Sequence, residues 1–470
     1  MSTGRSGSPD YDTLLNRAHE LALGYLASLP DRPVGARATA DALVARFGSA
    51  VPEEPTDPVV VIDELVGAAD PGLVASAGSR YFGFVTGGSH PVALAADWLT
   101  SAWDQNGGLH VQSPAVSALE EVTRRWLLDL FGLPRDASIG VVTAAHLANV
   151  TALAAARHEV LRRAGWDVEA NGLQGAPRVT VVAGREAHSS IAAACRLIGL
   201  GASTIVHAES DDQGRMIPAS LEAALARTSG SVIVCAQSGN VNTGAFDPLV
   251  DIAAIAARRG AWLHVDGAFG LWGAVVPDLR EHLAGVERAD SWATDAHKWL
   301  NVPYDSGIVM TAHPAAHRAA MGQTAAYLLA AEGERRDPAD WVPELSRRAR
   351  AIGVYAMLRA LGRRGVRDLV SRCCALARQM ADRLRREPGV GILNDVVLNQ
   401  VLVRFANRAG ANVTPDVIQR VQQEGTCWLG GTTWQGQPAM RISVSSWRTT
   451  PADIDRSADA IAACQRARFA

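Results

Sequence analysis

Apolar positions recur with helical spacing from Tyr11 to Ser28 and again from about Thr39. Pro52, Pro55 and Pro58 then predict a turn-rich connection, because each proline removes a backbone donor and resists helix. Leu94 to Leu133 reads as mainly helical and stops at the Gly132-Leu133-Pro134 breaker. Beyond it the pattern changes. Short apolar runs at Val179–Val182, Thr204–His207, Val232–Ala236, Trp262–Val265 and Ile308–Thr311 predict strands. Helical stretches at Ala152–Arg163, Ile191–Leu200, Ala219–Arg227 and Pro248–Arg259 alternate with them. Continuous apolar strands separated by helices predict an α/β unit whose mostly parallel central sheet is covered by helices on both faces. From about Ser346 a long helical region runs to Arg385, with Val396–Phe405 and Met440–Ser445 as later strands, which predicts a smaller α+β unit. The chain thus divides into an N-terminal helical segment (1–90), a large α/β domain (91–345) and a small C-terminal α+β domain (346–470).

Composition narrows the function classes. At 470 residues and 48% hydrophobic the chain can bury a large core. A formal net charge of −3, with no basic stripe, argues against nucleic acid and anionic membrane surfaces as partners. No apolar run reaches the ~18 residues of a spanning helix, and the Ser/Gly-rich start has no apolar signal-peptide core. Cys195, Cys235, Cys373, Cys374, Cys427 and Cys464 form no disulfide framework or metal spacing, so a cytoplasmic protein with reduced thiols is expected.

Lys298 is the only lysine; the other cations among 45 lysines and arginines are all arginine. Where a generic positive charge suffices this chain uses arginine, so the survivor points to chemistry that a guanidinium cannot perform. A lysine can lose its proton and attack a carbonyl. It closes the segment Asp290-Ser-Trp-Ala-Thr-Asp-Ala-His-Lys-Trp299, a strand running into a loop, where this sheet class places its ligands. No lysine is followed by Ser or Thr, which excludes a P-loop, and Gly199-Leu-Gly201 lacks the third glycine of a dinucleotide fingerprint. Upstream, Trp262-Leu-His-Val-Asp266 is an apolar strand ending in a carboxylate. Such an Asp can cap a turn, or it can hold a pyridine nitrogen protonated so that the ring acts as an electron sink. His188 follows another strand and can cap the next helix or stack on a flat cofactor.

The strings AHSS (187–190), HVDGAFG (264–270) and DAHKW (295–299), in this order, resemble the group II pyridoxal-phosphate decarboxylases. SPA (113–115), ANVTALAAAR (148–157), TGAFDP (243–248) and MRIS (440–443) extend the likeness from about Tyr81 to the C-terminus. The resemblance implies an aspartate-aminotransferase-like fold and a homodimer, with a small-molecule amino acid decarboxylated on pyridoxal 5'-phosphate. By it Lys298 would form the Schiff base, Asp266 would pair with the pyridine nitrogen, Ala268 would pack on the ring and His188 would stack on its other face. His297, Ser291 and Asp295 would lie near the cofactor phosphate, Asp295 departing from the family's usual Asn. The phosphate turn would be Thr143-Ala144-Ala145-His146, another departure, since His146 replaces a small hydroxyl residue. Backbone N–H groups at a helix start can still bind the phosphate.

Tyr327 looks like the mobile-loop tyrosine with which these enzymes protonate the carbanion after carbon dioxide leaves. Phe84 and Thr86 would line the substrate pocket, favouring an aromatic or bulky apolar L-amino acid, although Asn106-Gly-Gly-Leu-His110 puts glycine where aromatic-specific members tend to carry a ring. Decarboxylation-coupled oxidation, transamination and β-elimination are alternatives on the same cofactor, and a non-catalytic homologue is a further one. His313 and His317 have metal-compatible spacing but no third ligand, so a surface helix is expected there. Arg347-Arg348 reads as a solvated helix face, and Arg350 as support for the active site.

Overall fold

The computed structural model describes residues 10–48, 50–323 and 336–469. Three helices come first: α1 (Tyr11–Ser28), α2 (Ala40–Phe47) and α3 (Pro58–Ala69). Asp10, Thr39 and Asp57 cap them through side-chain oxygens on orphan N–H groups. Pro58 is therefore not part of the connection, as its ring suggested. It opens α3, where a missing N–H costs nothing. Helices α4 (Pro91–Trp103) and α5 (Pro114–Phe131) occupy the stretch expected to be helical, split by a loop at 104–113.

The central sheet has seven strands in the order β1-β7-β6-β5-β4-β2-β3. They are β1 (Ser138–Val142), β2 (Val179–Gly184), β3 (Val206–Ala208), β4 (Ser231–Gln237), β5 (Trp262–Asp266), β6 (Ser291–Asp295) and β7 (Gly307–Thr311). Strand β7 runs antiparallel to both neighbours and the remaining pairs inside the sheet are parallel. Strand β1 escaped the sequence reading because Gly140 interrupts its apolar run. The strands β1, β2, β5, β6 and β7 are buried at every position, as a sheet covered on both faces requires. The cover comes from α6 (Ala145–Arg163), the short α7 (Val168–Asn171), α8 (Ser189–Leu197), α9 (Pro218–Ala226), α10 (Leu249–Arg259) and α11 (Pro314–Met321).

Helix α12 (Ala351–Leu384), kinked at Gly362, leads into a four-stranded antiparallel sheet ordered β10-β11-β9-β8. Its strands are β8 (Val390–Ile392), β9 (Gln400–Phe405), β10 (Gly430–Trp434) and β11 (Gln437–Ser443), backed by α13 (Thr414–Glu424) and α14 (Pro451–Phe469). Two expectations about surface residues fail. Arg347 is wholly buried, its guanidinium 2.6 Å from the equally buried Glu120. His317 is also buried, its Nδ1 2.8 Å from Ser138 Oγ, while His313 turns away to Asp290. The two histidines therefore do not converge on one ligand.

Tryptophans anchor the sheet's interior. Trp262, Trp272 and Trp292 are fully buried, yet each indole N–H reaches an oxygen: Ser291 Oγ, the Asp295 carbonyl and the Val286 carbonyl, at 2.8–2.9 Å. Burying a side chain this large contributes about 3 kcal/mol. The Trp272 bond also fixes the backbone at Asp295, where the chemistry-bearing residues begin.

Candidate active site

The parallel strands end on one edge of the sheet, and several of the strand ends there carry a residue singled out by the sequence. Strand β2 ends at Gly184, shortly before His188, which caps α8. Strand β5 ends at Asp266, β6 at Asp295, and β1 runs through Thr143 and Ala144 into α6. Register fixes their relation, with Gln237 opposite Asp266 and Asp266 opposite Ala293. The reversed β7 brings Gly307 to the same edge. Only glycine fits there, because a β-carbon would lie 2.3 Å from the Ala144 carbonyl carbon.

These ends line a cavity of about 180 Å³. Lys298, Asp266, Ala268 and His188 border it, as do Ala144, Ala145, His146, Asp295 and His297. Lys298 Nζ lies 3.0 Å from Asp295 Oδ2. The other carboxylate oxygen of Asp295 accepts from Ala145 N–H at 2.5 Å and sits 3.6 Å from His297 Nε2. Burial lowers the pKa of His297, with Asp295 opposing, and its Nδ1 accepts from Ser306 N–H. The N-cap position of α6 is Ala144, which brings no side-chain cap, and the first residues of the helix border the cavity. The helix start therefore presents N–H groups and a positive dipole end to the cavity, a natural anion seat. Asp295 uses one of those N–H groups, and His146, exposed at the second helical position, adds another polar group at that end.

At the opposite side Asp266 is 6% exposed. Its Oδ1 accepts from Ala268 N–H and its Oδ2 from Asn149 Nδ2, both at 3.1 Å. Asn149 also donates to Ser190 Oγ at 3.0 Å, and Ser190 Oγ lies 2.8 Å from His188 Nδ1. The surrounding protein lowers the pKa of His188 by desolvation, against the nearby Asp266 charge. Burial pushes buried His264 down to about 4. Its Nε2 is 2.9 Å from Asn149 Oδ1 and its Nδ1 2.9 Å from Ser291 Oγ.

Ser291 is thus a correction. Expected beside a phosphate, it is fully buried at the start of β6, bonded to His264 and to Trp262 Nε1–H. It lies four positions before Asp295 on the strand, roughly 13 Å at the usual rise, so the two cannot share one phosphate. Asn149, Ser190 and His264 were not singled out. His264 was readable in principle, since it lies two residues before Asp266 and strand alternation puts both on one face.

Thr86 and Phe84 stand outside the cavity wall. Thr86 Oγ1 is 3.5 Å from the Tyr304 hydroxyl, and the Tyr304 ring stacks on His297 at 4.3 Å. Phe84 is exposed and stacks on Trp428 at 5.6 Å. Phe84 and Val85 both adopt positive φ, +51° and +57°, which is costly for a β-branched residue. The strained turn carries Gly87 onto the Lys298 carbonyl, where a β-carbon would approach to 1.8 Å. Arg350 supports this layer as expected, with Nε 2.7 Å from Asp305. Tyr327 lies outside the described residues.

The residues fit a phosphorylated pyridine aldehyde: one amine, a buried carboxylate across the cavity and a helix start between the strand ends. Comparison with known proteins agrees. The family model "Pyridoxal-dependent decarboxylase conserved domain" matches residues 42–406. Tryptophan decarboxylase 1 from Oryza sativa subsp. japonica is 28% identical over 473 residues, covering 93% of this chain and 90% of that protein. The crystal structure of Oryza sativa TDC with PLP and tryptamine superposes with a TM-score of 0.91 at 24% identity, covering 100% of both chains. That of Rhodiola rosea 4-hydroxyphenylacetaldehyde synthase gives 0.88 at 21%, covering 99% of this chain and 100% of the other. The fold is the aspartate-aminotransferase-like one. No helix among the described residues is long and apolar enough to cross a membrane.

Proposed function

From the premise that the chain belongs to the pyridoxal-dependent decarboxylase family, we propose that it removes the α-carboxylate of an aromatic or bulky apolar L-amino acid and releases the amine. The observation that carries this reading is the convergence of the sole lysine with Asp266, His188 and the start of α6 around one cavity. Pyridoxal 5'-phosphate supplies, when bound, the electron sink for the pair left by the departing carboxylate.

Lys298 Nζ would hold the cofactor covalently and, once released, would be a base or acid for the reaction. Asp295, 3.0 Å away, keeps that amine in place. Asp266 holds a proton on the pyridine nitrogen, and a buried anion does so better than water would. Ala268 leaves room for the ring, and His188 covers its other face. The N–H groups at the start of α6, with His146 and His297 beside them, hold the phosphate. Asp295 would oppose that phosphate electrostatically, a charge that the family's usual Asn does not bring. Tyr327 delivers the proton to Cα. Thr86 and Phe84 meet the substrate side chain from the Tyr304 side.

Leu15 and Leu23 of α1, Val60, Val61 and Leu65 of α3, and Trp98, Leu99 and Trp103 of α4 are all exposed, an apolar area that a second copy of the chain would cover. A homodimer is proposed on that ground, and light scattering should give twice the 49.6 kDa chain mass.

Incubation with a panel of L-amino acids, measuring carbon dioxide, peroxide and amine, tests the reaction. Carbon dioxide and amine in equal amounts from an aromatic substrate, without peroxide, is the expected result. Peroxide and ammonia would replace simple decarboxylation by the oxidative reaction, and no turnover of any amino acid would overturn the reading.

A further inference from the structure

The buried polar groups behind Asp266 form a chain whose direction is set by the acceptor-only Asp266 carboxylate. Trp262 Nε1 can only donate, and it reaches Ser291 Oγ at 2.9 Å. The Ser291 hydroxyl proton is therefore free to point to His264 Nδ1, 2.9 Å away. That leaves the His264 proton on Nε2, facing Asn149 Oδ1 at 2.9 Å. The Asn149 amide can then only turn its Nδ2 outwards, towards Asp266 Oδ2 at 3.1 Å and Ser190 Oγ at 3.0 Å. An ionised carboxylate can only accept. With His264 neutral, reversing its link to Ser291 or to Asn149 would set two acceptors face to face further along the chain, in a region where all six of these side chains are buried.

We propose that Trp262, Ser291, His264 and Asn149 are positioning residues for the reaction: a one-way hydrogen-bond chain that presents Asn149 as a fixed donor to Asp266 and, through Ser190, orients His188. This rests on the reading that Asp266 faces the ring nitrogen. One Nδ2 group then serves both sides of the ring. It turns one oxygen of Asp266 inwards, while Ser190 N–H and hydroxyl converge on His188 Nδ1 at 3.2 and 2.8 Å and leave the His188 proton on Nε2. Neutral His264 transmits the donor without adding a charge beside Asp266, which a charged imidazolium would neutralise.

The test combines histidine ¹⁵N NMR of the full-length enzyme with kinetics and absorbance of the loaded enzyme. His264 and His188, assigned by His264→Gln and His188→Gln, should both be neutral with the proton on Nε2. Asn149→Ala should lower kcat about tenfold or more at nearly unchanged KM and shift the absorbance of the bound cofactor. Ser291→Ala should give a smaller loss in the same direction, restored by Ser291→Thr, which keeps the hydroxyl. A His264 proton on Nδ1 overturns the chain outright, whatever the kinetics of the Asn149 and Ser291 variants. Folded Asn149→Ala with wild-type spectrum and kcat within about twofold overturns its role in the reaction. If wild-type enzyme takes up no cofactor, the decarboxylase reading fails, while the NMR result still decides the direction of the chain.

Discussion

His264 and His317 are built alike and placed differently. Both are fully buried, both hold a serine hydroxyl at Nδ1 (2.9 Å to Ser291 and 2.8 Å to Ser138), and burial depresses both pKa values, to about 4 and about 3. They part at Nε2. In His264 it meets Asn149 and through it Asp266, whereas in His317 it has no hydrogen-bond partner among the described residues and the ring sits edge-on to Trp341. A buried, depressed histidine is thus no sign of function by itself. What separates the two is whether the second nitrogen leads anywhere.

The largest effect expected around this pair is at its far end. Asp266→Asn removes the charge beside the ring and should lower kcat by about a thousandfold, in steady-state decarboxylation assays, with melting temperature little changed. Between the histidines themselves the contrast should be functional. His264→Gln should lower kcat by about tenfold, while His317→Gln should leave kcat alone. Each should cost about 1–3 kcal/mol of stability in denaturant titrations, the range for a buried hydrogen-bonding group left unpaired. Equal kinetic effects from the two substitutions would erase the distinction.

Acid should treat the two alike. Each histidine has a folded pKa below its unfolded value of about 6.5, so the unfolded chain binds the additional proton. The stability each contributes is complete above pH 6.5 and is lost as pH falls towards about 4 for His264 and about 3 for His317. Thermal melts from pH 7 to 4 should therefore fall steadily, and less steeply in either Gln variant. The smallest effect is expected on the other side of the cavity. Asp295→Asn should tighten cofactor binding several-fold in fluorescence titration, because it removes a negative charge from the helix start proposed to receive the phosphate.

The contrast also explains what the sequence disclosed. Lys298, Asp266 and His188 were legible because each sits at or just past the end of an apolar run, where a parallel sheet exposes its residues. Their meeting in one cavity follows from topology that the strand–helix alternation already implied. Asn149 was not legible as a site residue, because its partners Asp266 and His264 are more than a hundred positions away and only the packing of α6 on the sheet joins them. Ser291 was misplaced because likeness to a string says which strand a residue occupies but not how far along it the cavity lies. Strand β1 was hidden by one glycine, and the burial of Arg347 by the absence of any local sign that Glu120 would face it.

The central claim is that Lys298 carries the cofactor, and the composition makes its test unusually clean, since the chain has no other lysine. Borohydride reduction of the loaded enzyme followed by intact-mass and peptide analysis should find one pyridoxyl phosphate group per chain, on the peptide containing Lys298, and none in Lys298→Arg. Absence of the added mass from wild-type protein, or its persistence in Lys298→Arg, would contradict the account.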